Sequence, residues 1–362
     1  MQRFPISLFV FASLGCVAAG AATLPEFPPS AVWSRDISDV TLYPVHPNSG
    51  AMITATGGWG SGNALKIDLS MHVVHAAAGA PTVGVQAAPD GYTTPDCEPL
   101  AGLQFPLPAG GAIEGHQDYT CQNNGSLPNP EDCHLFVVQG TKLYESYLSN
   151  VVNGHLESGC VIIWDLAKVY PPQGRGDQCT SADAAGFPMA SLLFNADEVY
   201  AASQVANGDI GHAIRFILPN ASMAASTYVH PGSHAGGPSG ASSKIPYGSR
   251  LRLKSTFDVN GFSANVAARV VLRSMQKYGI VLSDGGNIAL TGEHDMFTTH
   301  KWSEFGFDEV NGPYVEQMLV GVPLSQFDVI QTGARIPLTY DCDSNGNVLT
   351  PPDFIFIDYF DY

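Results

Sequence analysis

His134-Leu-Phe-Val-Val-Gln-Gly-Thr-Lys-Leu-Tyr-Glu-Ser-Tyr147 decides the fold class. Its two ends, His134 to Val138 and Lys142 to Tyr147, are rich in β-branched and aromatic residues. Gln139-Gly-Thr141 between them has the length and the glycine of a three-residue hairpin loop. Outward from this hairpin the same texture continues. Leu65-Lys-Ile-Asp-Leu69 alternates apolar and polar, and Thr82 to Val85 is a second short run. Cys160 to Leu166, Ile210 to Leu218, Thr227 to His230 and Ser249 to Phe257 read as further strands. Thirty-eight glycines and 26 prolines are spread almost evenly and break the chain into short strands and turns.

Helical spacing shows in two places. Ser263 to Tyr278 carries Val266, Val270, Val271, Met275 and Tyr278 on one face, with Ser263 as N-cap and Gly279 just past the end. Pro313 to Val320 is a shorter candidate. Ala22 to Pro47 is Pro-rich and is expected along the surface. The expected architecture is mainly β, a β-sandwich or distorted barrel with one clear helix (263–278) and disulfide-stapled loops. Residues 23–362 are read as a single β-rich domain.

Residues 1–22 read as a signal peptide. Arg3 precedes an apolar run from Ile6 to Val17, and small residues follow at Ala18 to Ala22. The run is short of the roughly 20 apolar residues that a bilayer requires. Beyond Cys16 there remain Cys97, Cys121, Cys133, Cys160, Cys179 and Cys342, an even set that reads as disulfides in an exported chain. Closeness in sequence favours Cys121–Cys133 and Cys160–Cys179, leaving Cys97 for Cys342. No CxxC occurs, so zinc is disfavoured. Asn124-Gly-Ser and Asn220-Ala-Ser are glycosylation sequons. The charge balance, 16 basic against 33 acidic residues and −17 net, argues against nucleic-acid and anionic-membrane partners. The expectation is a secreted monomer.

Several groups of residues carry chemistry. Asp132 and His134 stand at the head of one hairpin strand and Glu145 lies on the other, so these groups can converge. A carboxylate beside an imidazole orients it or tunes its pKa, although such pairs also serve structure. In Thr180-Ser-Ala-Asp-Ala-Ala-Gly-Phe-Pro188, Asp183 is the one charged group among small residues; a short-helix N-cap is the equal alternative. His212 and Arg215 lie on a strand, and His230 and His234 follow beside the Gly/Ser-rich loop Gly232 to Ser243, a lid or rim. Arg250, Arg252 and Lys254 alternate along one strand face. Turned toward a cleft they would hold an acidic sugar; turned outward they would pair with surface acids. Asp284-Gly-Gly has the chemistry of a turn. Trp33, Trp59, Trp164 and Trp302 are stacking platforms or core. Elbow-type serine hydrolysis, nucleotide chemistry and nicotinamide chemistry are disfavoured, because GxSxG, P-loop and GxGxxG patterns are missing.

These blocks carry a resemblance. Ala31-Val-Trp33 with Asp36-Ile-Ser38, Ala112-Ile-Glu114, Asp132 with His134, Leu143-Tyr-Glu145, Thr180 to Pro188, His212-Ala-Ile-Arg-Phe216 and Arg250 to Lys254 look like a family of secreted bacterial and fungal proteins, mostly uncharacterised. Members are similar in architecture to carbohydrate-active secreted proteins. The resemblance covers most of the chain after residue 22. Two positions depart from it: His230 stands where a tryptophan is expected, and Cys133 interrupts the Asp-x-His pattern.

The resulting expectation is a glycoside hydrolase acting on an extracellular polysaccharide. Asp183 and Glu145 would be the carboxyl pair, with His212 and His134 tuning them. Arg215, His234, Arg250, Arg252, Asp284 and Asp132 would bind substrate, and no metal or cofactor is assigned. The rivals are a polysaccharide lyase with a His or Tyr base and an Arg neutraliser, and a non-catalytic carbohydrate-binding or wall-associated protein.

Overall fold

The computed structural model describes residues 23–88, 95–121, 131–307 and 315–342, apart from the side chains of Ser61 and Val315. The signal peptide and the Asn124 sequon lie outside the described residues. Hairpin strands Leu135–Gln139 and Lys142–Tyr147 pair antiparallel in unbroken register from Leu135↔Ser146 to Gln139↔Lys142. Cys160–Asp165 adds on one side, antiparallel, and Val73–His75 on the other, parallel.

This four-stranded sheet is a middle layer. One face, with Phe136, Leu143, Ile162 and Trp164, belongs to the larger hydrophobic core. The other, with Leu135, Val137 and Val161, belongs to a smaller core shared with Phe105 and Leu156. Alternation thus serves two interiors, and the sheet's period of two assigns each side chain to one of them. The smaller core is closed by a second four-stranded sheet, in the order Gln104–Pro106, Thr82–Ala87, His155–Ser158, Asn150–Val152.

The largest sheet has seven strands, in the order Val315–Glu316, Ile67–Met71, Leu290–Glu293, Ile214–Leu218, Ile280–Gly285, Arg250–Leu253, Phe327–Val329. Strand Ile67–Met71 leaves it and, past His72, enters the middle sheet as Val73–His75. One continuous stretch of chain therefore ties the two sheets together at a corner. A three-stranded sheet of Ile245–Tyr247, Met223–Tyr228 and Ile336–Pro337 completes the set. The protein is mainly β, with sandwich-like layering.

The expected helix is present as Val266–Lys277. It begins later than Ser263 because the Asn265 side chain accepts hydrogen bonds from the amides of Ala267 and Ala268. Gly279 ends it at φ +74°, where a Cβ would meet the Leu251 carbonyl oxygen at 2.4 Å. Ser49–Thr56 and Ala196–Ser203 are further helices; the second opens with a capping box of Asn195 and Glu198. The helix expected from Pro313 is replaced, among the described residues, by strand Val315–Glu316 and a turn at 318–321. Edge pairing of Val315–Glu316 with Ile67–Met71 outweighs local propensity there.

All six cysteines beyond Cys16 are disulfide-bonded: Cys97–Cys160, Cys121–Cys133 and Cys179–Cys342. Two of the expected pairs are thereby corrected. The loop at 95–100 runs beside strand Cys160–Asp165, with the Glu98 amide donating to the Val161 carbonyl, and this brings Cys97 to Cys160. Gln178 is bonded through its side chain to Pro337 and Thr339, which brings the 337–342 stretch to Cys179. Among the described residues no helix is long and apolar enough to cross a membrane.

Candidate functional site

Strand Ile67–Met71 places Asp68 and Ser70 on one face, with His72 following at the same period of two. In the adjoining strands Thr291 lies in register with Asp68, and Arg215 donates to the Thr291 hydroxyl at 2.7 Å. A polar stripe thus crosses three strands of the large sheet. Two loops cover it. The first is Thr180–Pro188, where the Ala185 amide donates to Ser283 O and the Ser233 and His234 amides donate to Ala185 O. Gly186 turns this loop at φ +82°, and a Cβ there would lie 2.8 Å from the Cys179 carbonyl oxygen. No helix starts here; Asp183 points inward instead of capping. The second cover is the junction of Glu114 with His134, whose backbones also pair.

Arg215 is the centre. One of its terminal nitrogens lies 2.7 Å from Asp183 Oδ1 and 3.7 Å from Asp284 Oδ2. The two carboxyl groups therefore share one guanidinium nitrogen, and their facing oxygens are no further apart than those two lengths combined. Asp183 Oδ2 and Arg215 Nε are buried without a hydrogen-bond partner. Burial pushes the Asp183 carboxyl up to about 7, against the pull of Arg215. Burial also works against the Arg215 charge, but Asp183 and Asp284 outweigh it and hold the guanidinium above its ordinary value.

His134 is the second cation. Its Nδ1 lies 2.7 Å from Glu114 Oε2 and its Nε2 lies 3.2 Å from the Ala182 carbonyl oxygen. Both partners are acceptors, so both ring nitrogens donate and the ring is an imidazolium. Burial disfavours that charge, yet Glu114, with Asp132 and Asp284, raises the ring to about 9. Glu114 is correspondingly lowered: burial pushes it up, and the imidazolium more than reverses this. Burial, then Glu114, raises Asp68; burial also raises Asp284. Asp68, Glu114 and Asp284 are half-buried and Asp132 is exposed, so four carboxylates rim two buried cations.

The expected site residues divide. Asp183, Arg215, His134, Asp132 and Asp284 come together in this cluster. Glu145 lies beneath it, fully buried, with Oε2 accepting from Trp164 Nε1 at 2.9 Å and Oε1 from the Ala190 amide at 2.8 Å. Both oxygens are engaged inside the core, so Glu145 cannot face a substrate as the partner of Asp183. His212 is also displaced from the site: its ring donates to Ala213 O and to Glu198 on helix Ala196–Ser203. His234 is buried and bonds the Ala184 carbonyl of the covering loop.

Arg250 and Arg252 lie in a strand buried on both faces. Arg250 donates to the carbonyls of Tyr278, Val32 and Arg35, and Arg252 to those of Ile37 and Tyr43. They clamp the Pro-rich leading segment to the sheet and hold no substrate. All four tryptophans are buried, so none offers a stacking platform. The stretch Gly232 to Ser243 is pinned by backbone bonds, including Ser239 N to Asn220 O and Gly240 N to Met223 O. An open groove of about 960 Å³ lined by Asp36, Lys254, Asp258 and Lys277 shares no residue with the Arg215 cluster.

Asp68, Ser70 and Thr291 were not singled out from sequence. The signal was present in Asp68-Leu-Ser-Met-His72, with polar residues at every second position. No family model matches the sequence, and no curated protein or solved structure matches it either.

Proposed function

We propose that this chain is a secreted enzyme that cleaves glycosidic bonds in an extracellular polysaccharide, acting as a monomer. One observation carries the reading: half-buried Asp68, Glu114 and Asp284, with exposed Asp132, ring Arg215 and the His134 imidazolium at the corner between two sheets. Glycoside hydrolysis asks for two carboxyl groups in different protonation states. Glu114, bonded to an imidazolium through the same oxygen that accepts the His134 amide, is the ionised partner. Asp284, next to Asp183 and half-buried, is the proton donor. Arg215 is a positioning residue that sets Asp183 and Asp284 about one nitrogen. Three disulfides suit an oxidising, extracellular setting.

The lyase reading loses support from the same geometry. A uronate needs a cation to neutralise it, but Arg215 is engaged by acids and Arg250 and Arg252 by carbonyls. The acidic rim favours uncharged sugars.

The test incubates the protein with neutral, amino and uronate polysaccharides, reading new reducing ends and ultraviolet absorbance together. Reducing ends from a neutral polymer, without absorbance, are expected. Asp284→Asn and Glu114→Gln should each lower the rate by about 10²–10⁴. Full activity in both variants sinks the assignment. Silence across the panel, with polysaccharide still retained, makes the chain a binding protein.

A further inference from the structure

The two stretches that meet at the Glu114–His134 junction, Glu114-Gly-His116 and Asp132-Cys-His134, also contribute to a second cluster. His116 Nε2 lies 3.2 Å from Glu131 Oε2. The same oxygen lies 3.6 Å from Cys121 Sγ and 3.9 Å from Cys133 Sγ. One ligand atom from each of the four residues lies within 4.8 Å of all the others. The two sulfurs are bonded to each other, and a disulfide sulfur is a poor metal ligand, whereas a thiolate is a good one.

Three edges of this cluster match a tetrahedral zinc site, and a fourth is closed by the disulfide. Zn–S bonds of about 2.3 Å and Zn–N or Zn–O bonds of about 2.0–2.2 Å imply ligand-to-ligand edges of roughly 3.3–3.8 Å. The carboxylate-to-sulfur and carboxylate-to-imidazole edges are already close to that length. The sulfur–sulfur edge has to open, and the imidazole-to-sulfur edges already lie within 4.8 Å. Cys121 and Cys133 are buried, and His116 and Glu131 are partly exposed, which leaves a path for an ion. Two thiolates, an imidazole and a carboxylate select zinc over the hard cations magnesium and calcium.

We propose that the Cys121–Cys133 disulfide and a Zn²⁺ ion are alternative occupants of this one position. A dithiol reductant delivers two electrons and two protons to the S–S bond and is itself oxidised to a disulfide. Zn²⁺ then replaces the two thiol protons, which pass to solvent, and is held by Cys121, Cys133, His116 and Glu131. Reoxidation by a disulfide oxidant removes two electrons, re-forms the bond and expels the ion. This assignment is independent of the glycosidase reading. Spacing alone did not disclose it, because the ligands come from two segments with no CxxC between them.

The experiment treats the full chain, in non-denaturing buffer, with a dithiol and then with Co²⁺ alone as the probe. About one cobalt per reduced chain is expected, with thiolate-to-cobalt charge-transfer absorbance in the near ultraviolet that Zn²⁺ abolishes. The oxidised chain and the Cys121→Ser/Cys133→Ser double variant should show none. His116→Ala should bind at least tenfold more weakly. A reading that survives even misfolded variants is alkylation of the reduced wild-type chain, mapped by mass spectrometry. Zn²⁺ should protect Cys121 and Cys133 and leave the alkylation of any other reduced cysteine unchanged. Alkylation of Cys121 and Cys133 that Zn²⁺ does not slow, or cobalt binding unchanged in the double variant, would overturn the proposal.

Discussion

Arg215 and Arg250 sit on neighbouring parts of one sheet, both on strands and both nearly out of contact with solvent. Their partners differ. Arg215 answers to carboxylates and a hydroxyl and keeps one nitrogen without a partner; Arg250 donates to three backbone carbonyls. Burial lowers Arg250 to about 9, while the acids around Arg215 move it the other way. A buried arginine is therefore not one kind of object. Among acids it organises groups that can gain and lose protons. Among carbonyls it is a fastener, and its charge does no chemistry.

The comparison breaks first at Arg215. Arg215→Met should cost about 3–5 kcal/mol in chemical denaturation, because it leaves Asp183 buried and uncompensated. Adding Asp183→Asn should restore part of that loss. If the double variant is no more stable than the single one, the two charges are not coupled.

Glu145 sharpens the contrast through pH. Burial raises its carboxyl from 4.5 to about 7, against the donors Ala190 and Trp164. A raised folded-state value in an acid means that the folded protein holds the proton more tightly. The stability it contributes is present at low pH, falls away as pH rises from about 4.5 to 7, and does not change above that. Its share of the decline is about 3 kcal/mol. Denaturation midpoints across this range should fall with pH, and Glu145→Gln should flatten the slope whatever its offset. An unchanged slope would show that Glu145 is ionised throughout.

Arg250→Gln should cost about 2 kcal/mol through carbonyls left without donors. No acid substitution should rescue it, and hydrolysis by the folded fraction should be unaltered. Rescue by removing an acid would erase the distinction between the two arginines. The smallest effect belongs to Asp132→Asn on the exposed rim. Thermal stability should move by no more than about 0.5 kcal/mol, while the rate on a charged substrate shifts. A large loss of stability there would make the rim part of the scaffold.

Much of the frame is legible in the amino-acid sequence. The hairpin around Gln139-Gly-Thr141 announced itself because turn chemistry and β-branched runs are adjacent in sequence. The helix at Val266–Lys277 did so through its repeat, its cap shifting by two residues to Asn265. The helix Ser49–Thr56 was not legible, since Ser-Gly-Ala-Met-Ile-Thr-Ala-Thr carries no one-sided pattern. Of the site, Asp183, Arg215, His134, Asp132 and Asp284 were found as isolated polar groups, but the pairing of Asp183 with Glu145 rested on proximity that the core does not provide. Arg250 and Arg252 misled because strict alternation usually means one wet face, and here both faces are dry.

The sequence by itself determined a β-rich chain, its turns, its main helix and an even set of cysteines, because each depends on neighbours within a few residues. Only the tertiary structure decided the partners: Cys97 with Cys160, Cys179 with Cys342, Arg215 with Asp183, Arg250 with Val32. Those residues are separated by 63, 163, 32 and 218 positions. Across such distances no local pattern selects one acceptor over another. The choice is made by which strands align and which loops fold back across them, and by the cost of leaving a buried charge unanswered.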